Sequence, residues 1–290
     1  MQILVNKNII SADAPAIHSN DRGFLLGDGI FETIKVEDGN FLFFQEHYYR
    51  LAMSASQLDI PFRCSLIELR NQCQKLLKIN SSPKIAALRI TLTRGMSKTI
   101  GMQLPLTLSP TLVITITPYC FIPPVSTLYI TNIKRNESSF ITQLKTLSRL
   151  ELVLARQKAI KAGYQEGLIL NTKGAITETS TGNLFVVIDK QIFTPRTEDG
   201  ILPGITRSVI IKIAARIKTP IIEKQLYPDD LLKASEIFQT NSLVEIQSFS
   251  KINEHLLLSK NKAIVTNQFC NQYCIYKKEY MSVHSNEVSA

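Results

Sequence analysis

The stretch Ile141-Thr-Gln-Leu-Lys-Thr-Leu-Ser-Arg-Leu-Glu151 decides how the rest of this chain is interpreted. It places one lysine, Lys145, between a strand-like run at residues 128–133 and a predicted amphipathic helix at residues 148–162. The side chains at helical spacing along one side of that helix are Leu150, Val153, Leu154, Gln157 and Ile160. A lysine at such a junction can lie at the bottom of a pocket, where partial burial lowers its pKa and makes the amine nucleophilic. The alternative is a surface lysine just before a helix, since lysines are rarely buried unless they are paired.

The composition indicates a globular protein with one large core or two moderate ones. The chain has 290 residues, of which 44% are hydrophobic, so it can bury a sizeable apolar surface. No apolar run is long enough to span a bilayer, and the first residues lack the charged and hydrophobic regions of a signal peptide. We therefore expect a soluble, cytoplasmic protein with no membrane partner.

Cysteine usage and charge narrow the possible partners. The five cysteines are odd in number and scattered, which is typical of reduced thiols, and with four dispersed histidines they predict no metal site. The net charge of +9 is spread along the chain without a basic stripe or an aromatic-basic motif, so we expect no nucleic-acid partner. A basic balance also suits an enzyme whose cofactor and substrate are anions.

The chain divides at a cluster of prolines. Pro118, Pro123 and Pro124 follow a predicted strand at residues 111–117 and indicate a boundary. We predict a smaller N-terminal α/β domain at 1–117, a linker at 118–124 and a larger C-terminal α/β domain at 125–275. The polar residues 276–290 show no periodic pattern and predict a loose tail.

Two positions can bind an anion. Gly204 precedes a predicted helix, and the amides of Ile205 and Thr206 at its start, with the Thr206 hydroxyl and the helix dipole, form an anion site. An ordinary capped helix start is the alternative. The second position is Arg50, on a predicted helix that begins near Gln45, although the local sequence favours a solvated position on the helix surface.

Several ordered motifs together resemble the fold-type IV enzymes that depend on pyridoxal phosphate. The motifs, in chain order, are Asp21-Arg22-Gly23, Gly27-Asp-Gly-Ile-Phe-Glu-Thr33, His47-Tyr-Tyr-Arg50, Thr93-Arg94-Gly95, Lys145-Thr-Leu-Ser-Arg-Leu-Glu151, Ile176-Thr-Glu-Thr-Ser-Thr-Gly-Asn-Leu-Phe185 and Thr240-Asn-Ser-Leu243. The resemblance covers nearly the whole chain. It implies a two-domain α/β (α+β) fold similar to the D-amino-acid aminotransferases, with the cofactor between the domains, and a homodimer.

The resemblance also implies a role for each matching residue. Lys145 matches the lysine that is covalently linked to the cofactor, and Glu178 matches the acid facing the pyridine nitrogen. The matches for phosphate binding are Arg50, Ile205, Thr206 and Ser242. These roles agree with the chemistry, because a carboxylate stabilises a protonated pyridine, and a phosphate favours a guanidinium fork and a helix N-terminus. The lysine, once displaced by a substrate amine, becomes a base.

Within this group the chain is most similar to the 4-amino-4-deoxychorismate lyases, which make 4-aminobenzoate and pyruvate for folate synthesis. The shared features are Arg135-Asn136, the stretch after Lys145, and Thr240-Asn-Ser-Leu243. This resemblance places Asn241 and Leu243 near the substrate, with Lys98 as a candidate for a substrate carboxylate.

The alternative is an aminotransferase of D-amino or branched-chain amino acids. The branched-chain enzymes carry a tyrosine where this chain has Leu150, and a Gly-Thr-Ala stretch where it has Asn241-Ser-Leu243. The D-amino-acid enzymes place an arginine and a histidine within the stretch that corresponds here to residues 96–101, which has neither. The lyases also depart from this chain, since many continue Thr-Arg-Gly with a Gly-Arg-Gly stretch that is missing here.

Overall fold

The computed structural model describes residues 1–98, 101–104, 107–120, 127–257 and 262–284. The chain forms two compact units, each with its own sheets and helices. The first unit comprises Met1–Phe121 and Leu144–Ser148, and the second comprises Ile122–Gln143 and Arg149–Ala290. The mixed α+β class predicted from the sequence is confirmed.

The first unit is built on one six-stranded antiparallel sheet. Its elements are β1 (Gln2–Val5), β2 (Asn8–Ser11), α1 (Arg22–Leu26), β3 (Gly29–Glu37), β4 (Asn40–Phe41), α2 (Phe44–Gln57), α3 (Leu66–Ile79), β5 (Ile85–Thr93) and β6 (Thr111–Pro118). The strand order is β2-β1-β6-β5-β3-β4. Residues alternate along β3 and β5, so that one face of the sheet is buried with α2 and α3 in a single apolar core.

The second unit contains two five-stranded sheets. Its elements are β7 (Thr127–Arg135), α4 (Leu150–Lys161), β8 (Glu166–Asn171), β9 (Ile176–Thr179), β10 (Asn183–Ile188), β11 (Gln191–Thr194), α5 (Ile205–Arg216), β12 (Ile221–Glu223), α6 (Pro228–Leu232), β13 (Glu236–Asn241), β14 (Glu245–Phe249), β15 (Lys251–Ile252), β16 (His255–Leu256) and α7 (Ile264–His284). The orders are β12-β11-β10-β13-β14 and β16-β15-β7-β8-β9. Strands β8, β9 and β10 are buried along almost their whole length, which explains their continuous apolar character.

The segment that carries Lys145 belongs to the first unit. The sequence placed it in a continuous second domain from residue 125, whereas the structure groups Leu144–Ser148 with the first unit. The reason is an antiparallel bridge between Ile30 and Thr146, which adds this segment to β3. Of the predicted linker at 118–124, residues from 121 onward lie outside the described residues.

The apolar row predicted along α4 is not its buried side. Leu150, Val153, Leu154 and Ile160 are 69%, 59%, 38% and 60% exposed, and the buried residues of this helix are Ala155 and Ala159. Gly167 allows β8 to approach α4 closely, because a Cβ there would lie 2.6 Å from the Ala155 carbonyl oxygen. The helix itself is confirmed, but helical spacing alone did not identify which side packs inward.

The predicted loose tail from residue 276 is wrong as far as His284. Helix α7 continues to that residue, because Phe269, Tyr273 and Lys277 recur every four residues on its buried side. The Lys277 amine lies 2.9 Å from a carboxylate oxygen of Glu245, which satisfies the buried charge. Residues 285–290 lie outside the described residues. No helix in the described ranges has both the length and the apolar character needed to cross a membrane.

Candidate active site

Lys145 is held by backbone pairing with the first residues of β3. The Phe31 amide donates to the Lys145 carbonyl, and the Leu147 amide donates to the Gly29 carbonyl, both at 2.9 Å. Gly29 allows this approach, because a Cβ there would lie 2.7 Å from the Leu92 carbonyl oxygen and 2.9 Å from Leu147 Cδ1. The direction of the lysine side chain is therefore set by a rigid sheet rather than by a free loop.

Two cations lie against the ring of Phe31. Lys145 Nζ lies 4.6 Å from the ring centroid, and Arg89 Cζ lies 3.8 Å from it. The negative ring face attracts both charges. In the part of the chain that the structure describes, Arg89 has no carboxylate partner. Arg89 is an exposed residue, but partial desolvation of its guanidinium lowers its pKa. The guanidinium nevertheless remains charged at neutral pH.

Arg50 is fixed by a buried carboxylate on β3. Its Nε and Nη2 each donate to an oxygen of Glu32 at 2.7 Å, which is a bidentate pair. His47 Nδ1 lies 2.6 Å from the same carboxylate. Glu32 and His47 are each 1% exposed, and the Arg50 side chain is 14% exposed. Arg50 is therefore not a simple solvated residue on the surface of α2.

The pKa shifts show that Glu32 remains ionised. Burial alone would raise the pKa of Glu32, but the charge of Arg50 and the hydrogen bonds from Arg50 and His47 outweigh burial and hold the pKa well below its ordinary value. Burial lowers the pKa of His47, and the charges of Arg50 and Lys145 add to this against the opposing effect of Glu32. We therefore assign His47 as neutral at pH 7, with Nδ1 protonated and donating to Glu32.

Glu178, in the second unit, accepts hydrogen bonds from three groups. Arg135 Nη1 lies 2.5 Å from Oε1, while the Asn183 amide and the Leu202 backbone amide lie 3.0 and 3.1 Å from Oε2. Arg135 is 1% exposed, and its Nε also donates to Glu151 at 2.8 Å. These donors fix the orientation of the Glu178 carboxylate.

The same network reaches the start of α5. Asn183 Nδ2 also donates to the Leu202 carbonyl at 2.8 Å, and a Cβ on Gly204 would lie 2.0 Å from Asn183 Oδ1. No side chain in the described ranges caps this helix, whose first residues Ile205 and Thr206 are buried. The structure thus brings Glu178 close to a helix N-terminus whose first amides lack an intrahelical acceptor.

Thr240 and Asn241 end β13, and residues 242–244 connect it to β14. Asn241 Oδ1 accepts from the amides of Leu243 and Val244 at 2.9 Å, and its Nδ2 donates to the Thr181 carbonyl at 3.2 Å. Ser242 lies within this turn. The Asn241 side chain therefore organises the hairpin, and contact of Asn241, Leu243 or Ser242 with a ligand stays a prediction.

Lys98 is exposed in the first unit. Thr99 and Ile100, in the stretch considered for substrate specificity, lie outside the described residues. The role of Lys98 in substrate binding also stays a prediction.

Comparison with known proteins places the chain in a family. Residues 29–252 match the model of the amino-transferase class IV family, and the chain belongs to it. A D-alanine aminotransferase of Listeria monocytogenes is 27% identical, with 95% of each chain covered. The branched-chain amino acid aminotransferase of Escherichia coli is similar in structure, with 25% identity, a TM-score of 0.86 and coverage of 92% of this chain and 91% of that one. A Legionella pneumophila structure, provisionally a 4-amino-4-deoxychorismate lyase, has 29% identity, a TM-score of 0.79 and coverage of 89% and 97%.

The family uses pyridoxal phosphate, as the resemblance implied. The residues present fit this cofactor. Arg135 Nη2 is a buried donor without a partner in the described part of the chain, which a ligand oxygen can satisfy. Glu178 presents an oriented carboxylate, and the uncapped start of α5 suits a phosphate.

Sequence reasoning did not identify three charged residues, Arg89, Glu32 and Arg135, as members of these clusters. Arg89 lies on the exposed side of β5, Glu32 lies among inward-facing apolar residues of β3, and Arg135 was noted only as part of a motif. A charged residue at an inward-facing strand position was the available signal for Glu32, whereas Arg89 occupies an exposed position of β5, where a charge is ordinary. The partners of Glu32 and Arg135 could not be identified from the sequence, because they lie 15 to 43 positions away along the chain.

The Glu32 cluster predicts a pH-dependent stability. The folded-state pKa of Glu32 is below its ordinary value of 4.5, so its contribution is complete above that pH and is lost as the pH falls below it. We expect Glu32→Gln to reduce the free energy of unfolding by about 1.5–3 kcal/mol near pH 7. Denaturant unfolding from about pH 7 to about pH 3.5 should show the difference from wild type shrinking as the pH falls. A difference that grows toward low pH would contradict this assignment.

Proposed function

We propose that the protein is a pyridoxal-phosphate-dependent lyase that converts 4-amino-4-deoxychorismate to 4-aminobenzoate and pyruvate. The observation that carries the proposal is the lyase-type stretch Thr240-Asn-Ser-Leu243, in which the Asn241 side chain fixes the hairpin turn. Leu150 supports it, because this position lacks the tyrosine hydroxyl of the branched-chain enzymes. The similarity to the Legionella structure agrees with this proposal.

In this proposal the residues assigned from the sequence serve one molecule of cofactor. Lys145 attaches it, and Glu178 faces the pyridine nitrogen with Arg135 as its partner. The phosphate is bound by Arg50, the amides of Ile205 and Thr206, and Ser242. When bound, pyridoxal phosphate supplies an electron sink that stabilises negative charge next to the substrate nitrogen.

Lys145 performs the proton transfers. Displaced by the substrate amine, its Nζ becomes a free base and takes the proton from the ring carbon that bears the amino group. The bond between the ring and the enolpyruvyl oxygen then breaks, which leaves the ring aromatic. Nζ returns a proton to the methylene carbon of the released enolpyruvate, giving pyruvate without net oxidation or reduction.

Arg89 supports a substrate that carries carboxylates. Its guanidinium and the Lys145 amine lie against the same Phe31 ring, so an anion bound at Arg89 lies close to the reacting amine. A guanidinium binds a carboxylate through two parallel hydrogen bonds. We propose Arg89 as the residue for one of the two substrate carboxylates, with Lys98 as the other candidate.

Pyruvate release tests the proposed reaction. Wild type should release pyruvate from freshly made 4-amino-4-deoxychorismate without any keto acid, and Lys145→Ala should lose at least about 10³-fold in rate, as expected when base and attachment point are both removed. Both proteins should be loaded with cofactor under the same conditions. No pyruvate from a cofactor-loaded wild type would reject the lyase.

An aminotransferase is the second candidate, because the Listeria relative is a D-alanine aminotransferase that matches over nearly the full length. Its reaction needs a keto acid as second substrate. Supplied with an amino donor alone, it would convert its cofactor to the pyridoxamine form, which the lyase reaction does not do. The visible spectrum after addition of D-alanine or a branched-chain amino acid therefore separates the two candidates.

Substitution of Arg89 should affect substrate binding more than proton transfer. We expect Arg89→Gln to raise KM about tenfold or more, because a charged hydrogen bond to a carboxylate is lost. The KM of Arg89→Lys should lie between the values for wild type and Arg89→Gln. Lys35→Gln removes one positive charge from the same strand pair and serves as the control. Steady-state kinetics with equal KM values for Arg89→Gln and Lys35→Gln would exclude Arg89 from the substrate site.

We also propose that the protein is a homodimer that uses the exposed side of α4. Leu150, Val153 and Ile160 are all more than half exposed there, and apolar patches of this kind commonly mark interfaces. Val153→Glu should shift the mass measured by light scattering toward the monomer. Lys161→Glu, on an exposed position of the same helix, is the matched control. A wild type that is monomeric, or a dimer unaffected by Val153→Glu, would exclude this surface.

A further inference from the structure

The buried carboxylate of Glu32 is not explained by the packing of the first unit. Along β3, the other residues on the same side are Ile30, Ile34 and Val36, all at most 1% exposed and all in the apolar core. A carboxylate among them costs desolvation energy, and replacing a buried ion pair with apolar residues is often neutral or stabilising. Stability alone therefore does not account for Glu32 at this position.

The geometry points to a positioning role: we propose that Glu32, supported by His47, orients Arg50 as a preorganised receptor for the phosphate group of the cofactor. This inference rests on the proposed role of Arg50 as a phosphate ligand. The phosphate monoester is the chemical class that the receptor recognises. Glu32 and His47 act through Arg50 and do not themselves touch the ligand.

Bidentate pairing fixes the guanidinium. Both Arg50 contacts to Glu32 are 2.7 Å long, so the plane of the guanidinium is set rather than free to rotate. An arginine loses considerable rotamer entropy when it is immobilised by a ligand. Here that loss occurs on folding, so binding of a phosphate does not incur it again.

His47 holds the carboxylate from the other side. It lies one turn before Arg50 on α2, and its Nδ1 is 2.6 Å from Glu32. A carboxylate bound by two residues of one helix cannot turn without breaking one of the contacts. The charge of Lys145 also acts on His47, which indicates that this cluster lies near the reactive amine.

Two opposing effects determine whether removal of the Glu32 carboxylate strengthens or weakens phosphate binding. Loss of the Glu32 charge leaves Arg50 with more net positive charge, which by itself would strengthen phosphate binding. Loss of the bidentate contact frees the guanidinium, which weakens binding. The proposal requires that orientation outweighs charge.

The experiment compares the binding of pyridoxal phosphate and of pyridoxal, which lacks the phosphate, to the apo full-length protein. Binding is measured by visible absorbance, without turnover. We expect Glu32→Gln to raise the Kd for pyridoxal phosphate about 10–100-fold, the range typical of residues that orient a ligand-binding side chain, and to leave the Kd for pyridoxal nearly unchanged. Glu32→Asp keeps the charge but is too short to hold both contacts, so it should show the same selective loss even if Glu32→Gln fails to fold.

Two further variants separate the possible failures. Glu37→Gln removes a carboxylate from the end of the same strand, where it pairs with Lys35 at 3.6 Å, and should change neither Kd. Arg50→Gln should abolish the preference for the phosphorylated compound. If Arg50→Gln abolishes it while Glu32→Asp retains wild-type binding, the positioning role is wrong and the proposed phosphate role of Arg50 stands.

The remaining outcomes also decide the matter. Equal weakening of both compounds by the Glu32 variants, or tighter binding of pyridoxal phosphate to Glu32→Gln, would overturn the inference. An unchanged preference in Arg50→Gln would instead remove Arg50 from the phosphate site, and the positioning role with it.

Discussion

The pairing of a short backbone segment with β3 is the constraint on which the site in the first unit depends. Two hydrogen bonds of 2.9 Å join Phe31 and Gly29 to the residues on either side of Thr146. They place Lys145 next to the Phe31 ring. The next residue of β3 is Glu32, whose carboxylate binds Arg50. Because the pairing uses main-chain atoms and a glycine, the lysine is positioned independently of surface loops.

Arginine–carboxylate pairing recurs in both units. In the first unit Glu32 binds Arg50, and in the second Arg135 binds Glu178. Each pair is largely buried, and in each a third polar residue, His47 or Asn183, holds the carboxylate. Such pairs contribute little net stability when compared with apolar packing, but they fix the direction of charged groups. An enzyme with an anionic cofactor and a protonated pyridine ring needs charges of fixed direction.

Sequence patterns predicted most of the helices and strands, because period-two and helical spacing reflect local burial. They failed where burial depends on distant partners. The pairing of Thr146 with Ile30 joins residues more than a hundred positions apart, and the exposed row on α4 has a pattern indistinguishable from that of a buried one. Helix α7 was missed from residue 276 because its inward Lys277 is satisfied by Glu245. The roles proposed for Lys145 and Glu178 come from the family resemblance, because spacing alone does not give them.

The central claim is that Lys145 is the residue that binds the cofactor covalently. The direct test is to load the protein with pyridoxal phosphate, reduce it with borohydride and map the modified peptide by mass spectrometry. We predict a single pyridoxyl group on the peptide that contains Lys145. Modification of another lysine, such as Lys98 or Lys35, with Lys145 unmodified would contradict the account.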